Sequence, residues 1–488
     1  MYEADLDIER AWTNASEAVT RERTSESSRT QPRRYSIDRA ISRHPTQVHR
    51  TYTQSIQHTH TISAIHSTPS THPLPAFGGG KPYPPTIPAE REAYVVDFDG
   101  PLDPLHPMNW PFRTKFTTSA ICAFLCLGST FASSILSAAT ARVAIYFHVG
   151  QETAWLTSAL YLVGYAVGPS VWGPLSELRG RKLPLLLGSF GFSVFATATA
   201  VAKDVQTLMI CRFFMGVFGS CPLVVVAGVY SDIWRAEQRG TALVVFAMSV
   251  FMGPMLGPFI GAFTVESYLG WRWDCYWSMI MGFVAFLLLL FFVKETYAPA
   301  VLIQKAEALR RRTKNWGIHA KMEEVEVDVR ELVSKNLSRP MRMFFVEPIL
   351  LLIGFYLTFV YGLIYLSIAA FPLVFGGIHR IKPGVAELPF FGMALGMILA
   401  GVTSILMNPS WVKKYHAAGN RAQPEWRLPL AAVGGVVFVI GLFWFGWTGA
   451  YREVHWIVPT VAGVFIGFGL LAIFMQLIMY IVDAYLML

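Results

Sequence analysis

The sequence predicts an all-α polytopic membrane protein of about ten transmembrane helices, arranged as six before a charged central segment and four after it. Three observations carry this. Of 488 residues, 53% are hydrophobic and only 15% charged, against roughly 25% charged in soluble domains. Apolar runs of about 20 residues, enough for a helix to cross a hydrocarbon core of about 30 Å, recur along the chain. The cations between those runs collect in alternate loops, as topology demands of a membrane protein.

The runs fall near 116–138, 153–172, 183–202, 205–230, 240–263, 275–293, 345–372, 388–408, 428–448 and 455–483. Glycine and proline recur inside them, which helices in lipid tolerate. With the N-terminus placed in the cytoplasm, the inner loops hold 20 Lys and Arg and the outer loops 6. Without the large loop at 294–344 the count is still 9 to 6, so the orientation does not hang on one segment. The net charge of +8 therefore reads as topology, and no concentrated basic face points to nucleic acid. The five cysteines, Cys122, Cys126, Cys211, Cys221 and Cys275, lie in or at the edge of apolar runs with neither disulfide nor zinc spacing. No nucleophile–base set is visible, so neither an enzyme nor a cofactor is expected.

Residues 1–90 are rich in Ser, Thr, His, Arg and Pro without apolar period, and are expected to form a disordered cytoplasmic tail. Gly78-Gly79-Gly80-Lys81 lacks the Ser or Thr of a phosphate loop. Arg33-Arg34-Tyr35-Ser36 has the look of a basophilic kinase site, a tetrad common by chance. Residues 91–115 form a Pro-rich approach to the membrane. There Trp110 is placed at the headgroup level, with Arg113 and Lys115 on the cytoplasmic side. A six-helix bundle is expected over 116–293, a cytoplasmic loop over 294–344 and a four-helix bundle over 345–488. The Asn-x-Ser triplets at Asn14 and Asn336 fall on the cytoplasmic side, where they escape glycosylation.

Three stretches carry chemistry. Gly173-Pro-Leu-Ser-Glu177-Leu-Arg179-Gly180-Arg181-Lys182 is a charged loop between spans two and three. Its glycines permit a tight turn, and Arg181 and Lys182 are expected to face the anionic leaflet. Arg212 lies inside span four, in Arg212-Phe-Phe-Met-Gly216. An unpaired cation near mid-bilayer costs about 2.5–3.5 kcal/mol, so it should face the bundle interior or water. An ion pair between helices, or snorkelling to the outer surface, is the structural alternative. In span five, Gly253-Pro254-Met-Leu-Gly257-Pro258-Phe-Ile-Gly261 sets three glycines on one helix face, beside two prolines that kink it. A plain packing face explains the glycines but not two Gly-Pro steps at that interval.

Together these stretches resemble the signature loop, the Arg-x-x-x-Gly element and the antiporter motif of the major facilitator superfamily. The branch they look like is that of fungal drug:proton antiporters, which includes multidrug and polyamine exporters. Ser231-Asp232-Ile-Trp234-Arg235, Gly270-Trp271-Arg272-Trp273, Phe345-Val346-Glu347-Pro348 and Tyr480-Ile-Val-Asp483 extend the likeness from about Asp103 onward. The resemblance implies a helical bundle working by alternating access. It would exchange protons for small organic molecules, as a monomer in the plasma membrane. Arg212 would serve proton coupling by setting the affinity of an unassigned carboxylate. Tyr161, Tyr165, Phe246, Tyr356, Tyr361 and Gln476 are candidates for the midplane cavity, where aromatic faces suit apolar or cationic substrates. Asp483 and Glu347 are placed at membrane faces as gate or interface residues.

Two departures stand out. Ile368-Ala-Ala-Phe371-Pro372 lacks the acid that relatives often carry near the end of span seven. The family has twelve spans, and ten are visible here. The alternative expectation is accordingly a truncated, transport-incompetent membrane protein with a regulatory role or none, which sequencing of the transcript beyond Leu488 decides. In relatives the signature-loop acid faces the eleventh helix. Glu177→Ala is therefore predicted to reduce transport less here than the matching change in a twelve-span relative, and equal losses in paired efflux assays would refute this.

Overall fold

A chain surrounded by hydrocarbon has to satisfy its backbone hydrogen bonds internally, and helices do so within one segment. The computed structural model describes residues 76–81, 83–84, 91–324, 342–382, 384–419 and 423–485. Most of the expected tail lies outside them, including Asn14 and the Arg33–Ser36 tetrad, as does Asn336. Among the described residues, nine helical stretches are long and apolar enough to cross a membrane. They are built from α1 (Phe112–Ser134), α5 (Lys182–Ala200), α6 (Val205–Gly219) with α7 (Cys221–Ile233), α8 (Ala236–Glu266), α9 (Arg272–Phe292), α11 (Pro348–Phe371), α12 (Phe390–Ala417), α13 (Leu428–Gly449) and α14 (Ile457–Tyr485). The expected second span is α3 (Gln151–Val167), which passes through Gly168 into α4 (Pro169–Arg179). Together with it the described residues make ten membrane segments. A short helix on the expected outer side, α2 (Thr140–Phe147), joins the first two.

Several boundaries differ from the sequence reading for local reasons. The loop expected at 173–182 is mostly helix, because α4 runs to Arg179 with Pro169 at its first turn. The turn is confined to Gly180 and Arg181. Gly180 has φ +83°, a region open to glycine but strained for other residues. Span seven continues past Pro372 as a π-helical stretch, Pro372–Ile378. Helix α6 is capped by Asp204, whose carboxylate accepts the Thr207 amide at 2.7 Å. That bond, with a second from the Thr207 hydroxyl, holds its pKa below the usual value.

Close helix contacts hold the bundle, and glycine makes them. A Cβ on Gly253, Gly257 or Gly261 would lie 2.1 Å from Thr130 Oγ1, 2.1 Å from Ser134 Oγ or 2.6 Å from Ile135 O. All three thus meet one stretch at the outer end of α1, and α8 runs on through Pro254 and Pro258 as a continuous helix. Gly164 and Gly216 let α3 and α6 touch backbone to backbone, with 2.0 Å from a Cβ on Gly164 to Phe213 O and 2.1 Å from one on Gly216 to Tyr161 O. Gly396 and Gly467 do the same for α12 and α14, at 2.0 Å to Val464 O and 2.0 Å to Met393 O. Spans two and four are thus mirrored by spans eight and ten, as expected of repeated halves.

On the expected inner, cytoplasmic side, the N-terminal approach and the central segment pair with each other. Strand β1 (Val95–Val96) lies parallel to β2 (His319–Ala320). With helix α10 (Ala298–Thr313) they enclose Phe77, Tyr94, Val96, Ala306, Leu309, Ile318 and Ala320. Phe77 is 2% exposed although it falls in the stretch expected to be unstructured. Lys305 Nζ donates to Asp97 O at 2.9 Å and lies 3.8 Å from Asp99. Lys115, placed by sequence at the membrane surface, instead folds back to donate to Met108 O at 2.8 Å and lies over the Trp234 ring.

Gly257→Val is predicted to lower the thermal stability of the purified protein by about 1–3 kcal/mol, since the new side chain must displace the α1 backbone. Gly446→Val, where a Cβ meets nothing within 4 Å, is the control and should change little. Equal melting temperatures for the two variants would refute the packing role.

Candidate functional site

The signature stretch builds a charge cluster at the expected inner membrane face. Glu295 follows α9 and is 8% exposed. Its carboxylate accepts the backbone N–H groups of Arg181 (2.8 Å), Lys182 (3.1 Å), Thr296 (3.0 Å) and Tyr297 (2.9 Å). A side chain on Gly180 would collide with that carboxylate, at 2.6 Å. Arg181 does not face the leaflet as expected. Its Nε donates to Asp232 at 3.0 Å, its Nη1 to Ser176 Oγ at 2.9 Å, and the guanidinium stacks on Tyr297 at 4.8 Å. Lys182 reaches Leu290 O at 3.4 Å, and Gly173 stands at ordinary contact distance from Val224. Glu177 is exposed and has no ion pair among the described residues.

The second half repeats this arrangement. Arg427, between spans eight and nine, pairs with Asp483 near the end of span ten at 3.1 Å and stacks on Trp411 at 4.1 Å. Beside it lies a small cavity of about 70 Å³ whose lining includes Ser404, Trp411, Lys414, Arg427 and Gln476. Gln476 Nε2 donates to Ser404 Oγ at 3.4 Å.

Arg212 is 1% exposed. Its Nη1 donates to Ala132 O at 2.8 Å, and its guanidinium carbon lies 5.9 Å from the Tyr161 ring centre. Among the described residues Nε and Nη2 have no hydrogen-bond partner of good geometry, and the Cys275 thiol is a side-chain neighbour of the guanidinium. Across from it, in the first turn of α9, stands Asp274, 0% exposed, with neither carboxylate oxygen hydrogen-bonded. The Arg212 charge acts on both Asp274 and the neighbouring Cys275 thiol. Sequence reasoning missed Asp274 because it precedes an apolar run and reads there as a surface residue. The available signal was that a buried Arg212 needs a countercharge.

From Arg212 a line of hydroxyl groups leads to the seam between the halves. Tyr161 Oη donates to Ser129 O at 2.7 Å, Ser129 Oγ reaches Gly219 O, and Tyr165 Oη lies 3.4 Å from Ser129 Oγ. Ser133 on α1 and Tyr365 on α11 share a hydrogen bond of 2.8 Å that joins the two halves. Tyr361 packs on Tyr365 at 5.4 Å and between Phe251 and Phe474. Of the six candidate liners, then, Tyr161, Tyr165 and Tyr361 converge, with Tyr365 as an addition. The others lie elsewhere: Phe246 packs against Tyr230, Tyr356 is 42% exposed on α11, and Gln476 lines the cavity beside Arg427. The halves also meet along α8 and α12. Asn408 donates to Glu237 O (3.3 Å) and Thr241 Oγ1 (3.2 Å) at the inner end, and Phe259 packs on Phe391 at 4.8 Å toward the outer end.

Comparison with known proteins agrees with this architecture. The family model described as Major Facilitator Superfamily matches residues 120–486. The major facilitator superfamily multidrug transporter FLU1 of Candida albicans is 45% identical over 444 residues, covering 91% of this chain and 72% of that protein. The multidrug transporter TPO1_2 of Candida glabrata is 42% identical over 414 residues, covering 85% and 71%. Among solved structures, the xylose transporter XylE from E. coli in a partially occluded inward open conformation superposes with a TM-score of 0.54 at 15% identity, over 76% of this chain and 85% of that one. A second XylE structure, described as a proton:xylose symporter, gives 0.56 at 17% identity over 77% and 82%. These two establish likeness of fold alone. With the family match spanning most of its length and the helical bundle it predicts in place, this chain belongs to the major facilitator superfamily of membrane transporters.

Proposed function

We propose that this chain exports small organic molecules from the cytoplasm in exchange for protons, by alternating access between its two halves. The substrate class is that of drugs, toxins, polyamines or secondary metabolites. The observation that carries this reading is the seam where Ser133 meets Tyr365, flanked by Tyr161, Tyr165 and Tyr361. An alternating-access transporter holds its substrate between halves near the midplane. Tyrosine faces and hydroxyls there suit flat apolar or cationic molecules. The names of the two Candida relatives, both multidrug transporters, support the same substrate class. The chain works as a monomer in the plasma membrane with its N-terminus in the cytoplasm. Residues 116–293 and 345–488 form the moving bundles, and 294–344 is their cytoplasmic tether. In this reading Glu177, Arg181 and the Glu295 cluster latch the inner face, Gly253, Pro254, Gly257, Pro258 and Gly261 seal α8 on α1, and Arg212 serves coupling.

The test is transport in inside-out vesicles that carry the full chain, with ethidium and spermidine as probes. An acid-inside gradient is expected to drive accumulation of at least one probe, and collapse of the gradient should abolish it. Arg212→Ala is predicted to lose at least about tenfold of that gradient-driven accumulation, a coupling of ordinary size. Unchanged accumulation in Arg212→Ala would sink the role of Arg212. A chain that moves neither probe under any gradient would favour a transport-incompetent membrane protein.

A further inference from the structure

Exchange for protons requires a group that binds one, and the motifs read from the sequence do not supply it. We infer that Asp274 is the carboxylate that takes up the exchanged proton, with Arg212 as its positioning residue, an inference that rests on the proposed proton-coupled export.

Elimination among the described residues leads there. Asp232 and Asp483 are paired with Arg181 and Arg427. Glu295 is saturated by four backbone N–H groups. Two other buried carboxylates have oxygens without partners: Glu387, at Oε2, and Asp274, at both oxygens. Of these, only Asp274 faces a buried cation, Arg212, whose own Nε and Nη2 are unpartnered. No Lys or Arg nitrogen of the described residues approaches Asp274 within the 4.0 Å of an ion pair. A pair built only to fasten α6 to α9 would close that gap and saturate its hydrogen bonds, because a buried polar group left unmade is costly.

The surroundings fit a proton site. The Cys275 thiol lies beside Arg212, while Arg272 turns away, donating to Ala202 O and stacking on Tyr146 and Trp271. The helices packed on α9 bring no other charge close. Those of α1 (Arg113, Lys115) and α5 (Lys182) sit at the opposite ends of their helices, and in α8 Glu237 and Arg239 do too, while Glu266 is exposed. Leu136, Ala139, Ala200 and Leu208 pack around Cys275 and exclude water. Asp274 stands in the first turn of α9 on the predicted outer side, where protons enter during export. In the step itself, an Asp274 oxygen forms an O–H bond with a proton from hydronium, releasing water. The carboxylate charge is neutralised and Arg212 keeps its own, since guanidinium is not deprotonated in proteins. Release toward the cytoplasm reverses the step. Gain and loss of the Asp274 charge beside Arg212 alters the attraction between α6 and α9, and Tyr161 and Ser129 connect Arg212 to the substrate seam.

Two measurements on the full chain in lipid test this. Infrared difference spectra on acidification are expected to show the band of a water-shielded carboxylic acid in the wild type and in Glu387→Gln, absent in Asp274→Asn and shifted in Asp274→Glu. A band that persists in Asp274→Asn, or disappears only in Glu387→Gln, overturns the assignment. In vesicles, Asp274→Asn should lose gradient-driven ethidium accumulation at least about tenfold more than it loses ethidium exchange without a pH gradient, with partial rescue in Asp274→Glu. Equal loss of both activities in both variants marks Asp274 as structural and overturns the proposal. A wild-type chain that moves neither ethidium nor spermidine refutes the functional reading instead, and the infrared result then decides the proton site alone.

Discussion

The arrangement of this bundle depends on how closely its helices approach. In lipid no hydrophobic force draws helices together, so packing and interhelical hydrogen bonds do that work, and small residues set the distance. The contact between α3 and α6 is set in this way. Because Gly216 lacks a side chain, the Tyr161 backbone rests directly against it, and Gly219 leaves room for the Tyr161 hydroxyl, 2.6 Å from where its Cβ would be. That seating brings the Tyr161 ring to 5.9 Å from the Arg212 guanidinium and its hydroxyl to Ser129 O. The glycine of the Arg-x-x-x-Gly element is therefore what places the arginine under a tyrosine one helix away. The glycines of α8 act the same way on α1, fixing the stretch that presents Ser133 to Tyr365.

The charges divide into two kinds by how completely they are satisfied. At the expected inner face, Arg181 with Asp232 and Arg427 with Asp483 form hydrogen-bonded pairs at 3.0 and 3.1 Å, each stacked on an aromatic ring. These occupy equivalent places in the two halves and suit latches that hold or release helix ends. Glu295 adds strength to the first, because one carboxylate gathers four N–H groups around the Gly180 turn. Charge-assisted hydrogen bonds of this kind are about twice as strong as neutral ones. In the interior, Arg212 and Asp274 interact by charge while leaving hydrogen-bonding capacity unused. The inner-face pairs are complete in this state, whereas the interior one has room for a proton or a rearrangement.

Much of this was legible in the sequence. Apolar runs and the bias of cations toward alternate loops lay out ten membrane segments, and the signature stretches mark where helices turn and touch. Pairing across distant segments was not legible. Arg181 looked free to meet lipid headgroups because Asp232 lies 51 positions away and Glu295 more than 100. Lys115 looked like a surface cation, and only the fold brings Met108 O and Trp234 to it. Asp274 was hidden by its place at the edge of an apolar run, where acids are ordinary. Phe246 and Tyr356 show the converse failure. An aromatic inside a span carries no mark of which side it faces, and these two sit apart from the three seam tyrosines, Phe246 against Tyr230 and Tyr356 half-exposed on α11.

The interior pair also limits what the proton can be doing. Arg212 stays charged throughout, so a change of protonation at this place falls on the carboxylate. A buried carboxylate facing a cation is stabilised by it, but the apolar wall around Cys275 disfavours any charge at all. The two effects oppose each other at one group, so modest changes in the distance between α6 and α9 shift the balance between the charged and neutral forms. On the proposed reading, substrate at the tyrosine seam would reach that balance through Tyr161, whose ring lies beneath the Arg212 guanidinium and whose hydroxyl joins the Ser129 hydrogen-bond line. By linkage the influence is reciprocal: if substrate binding favours one protonation state of Asp274, protonation of Asp274 must change substrate affinity by the same factor.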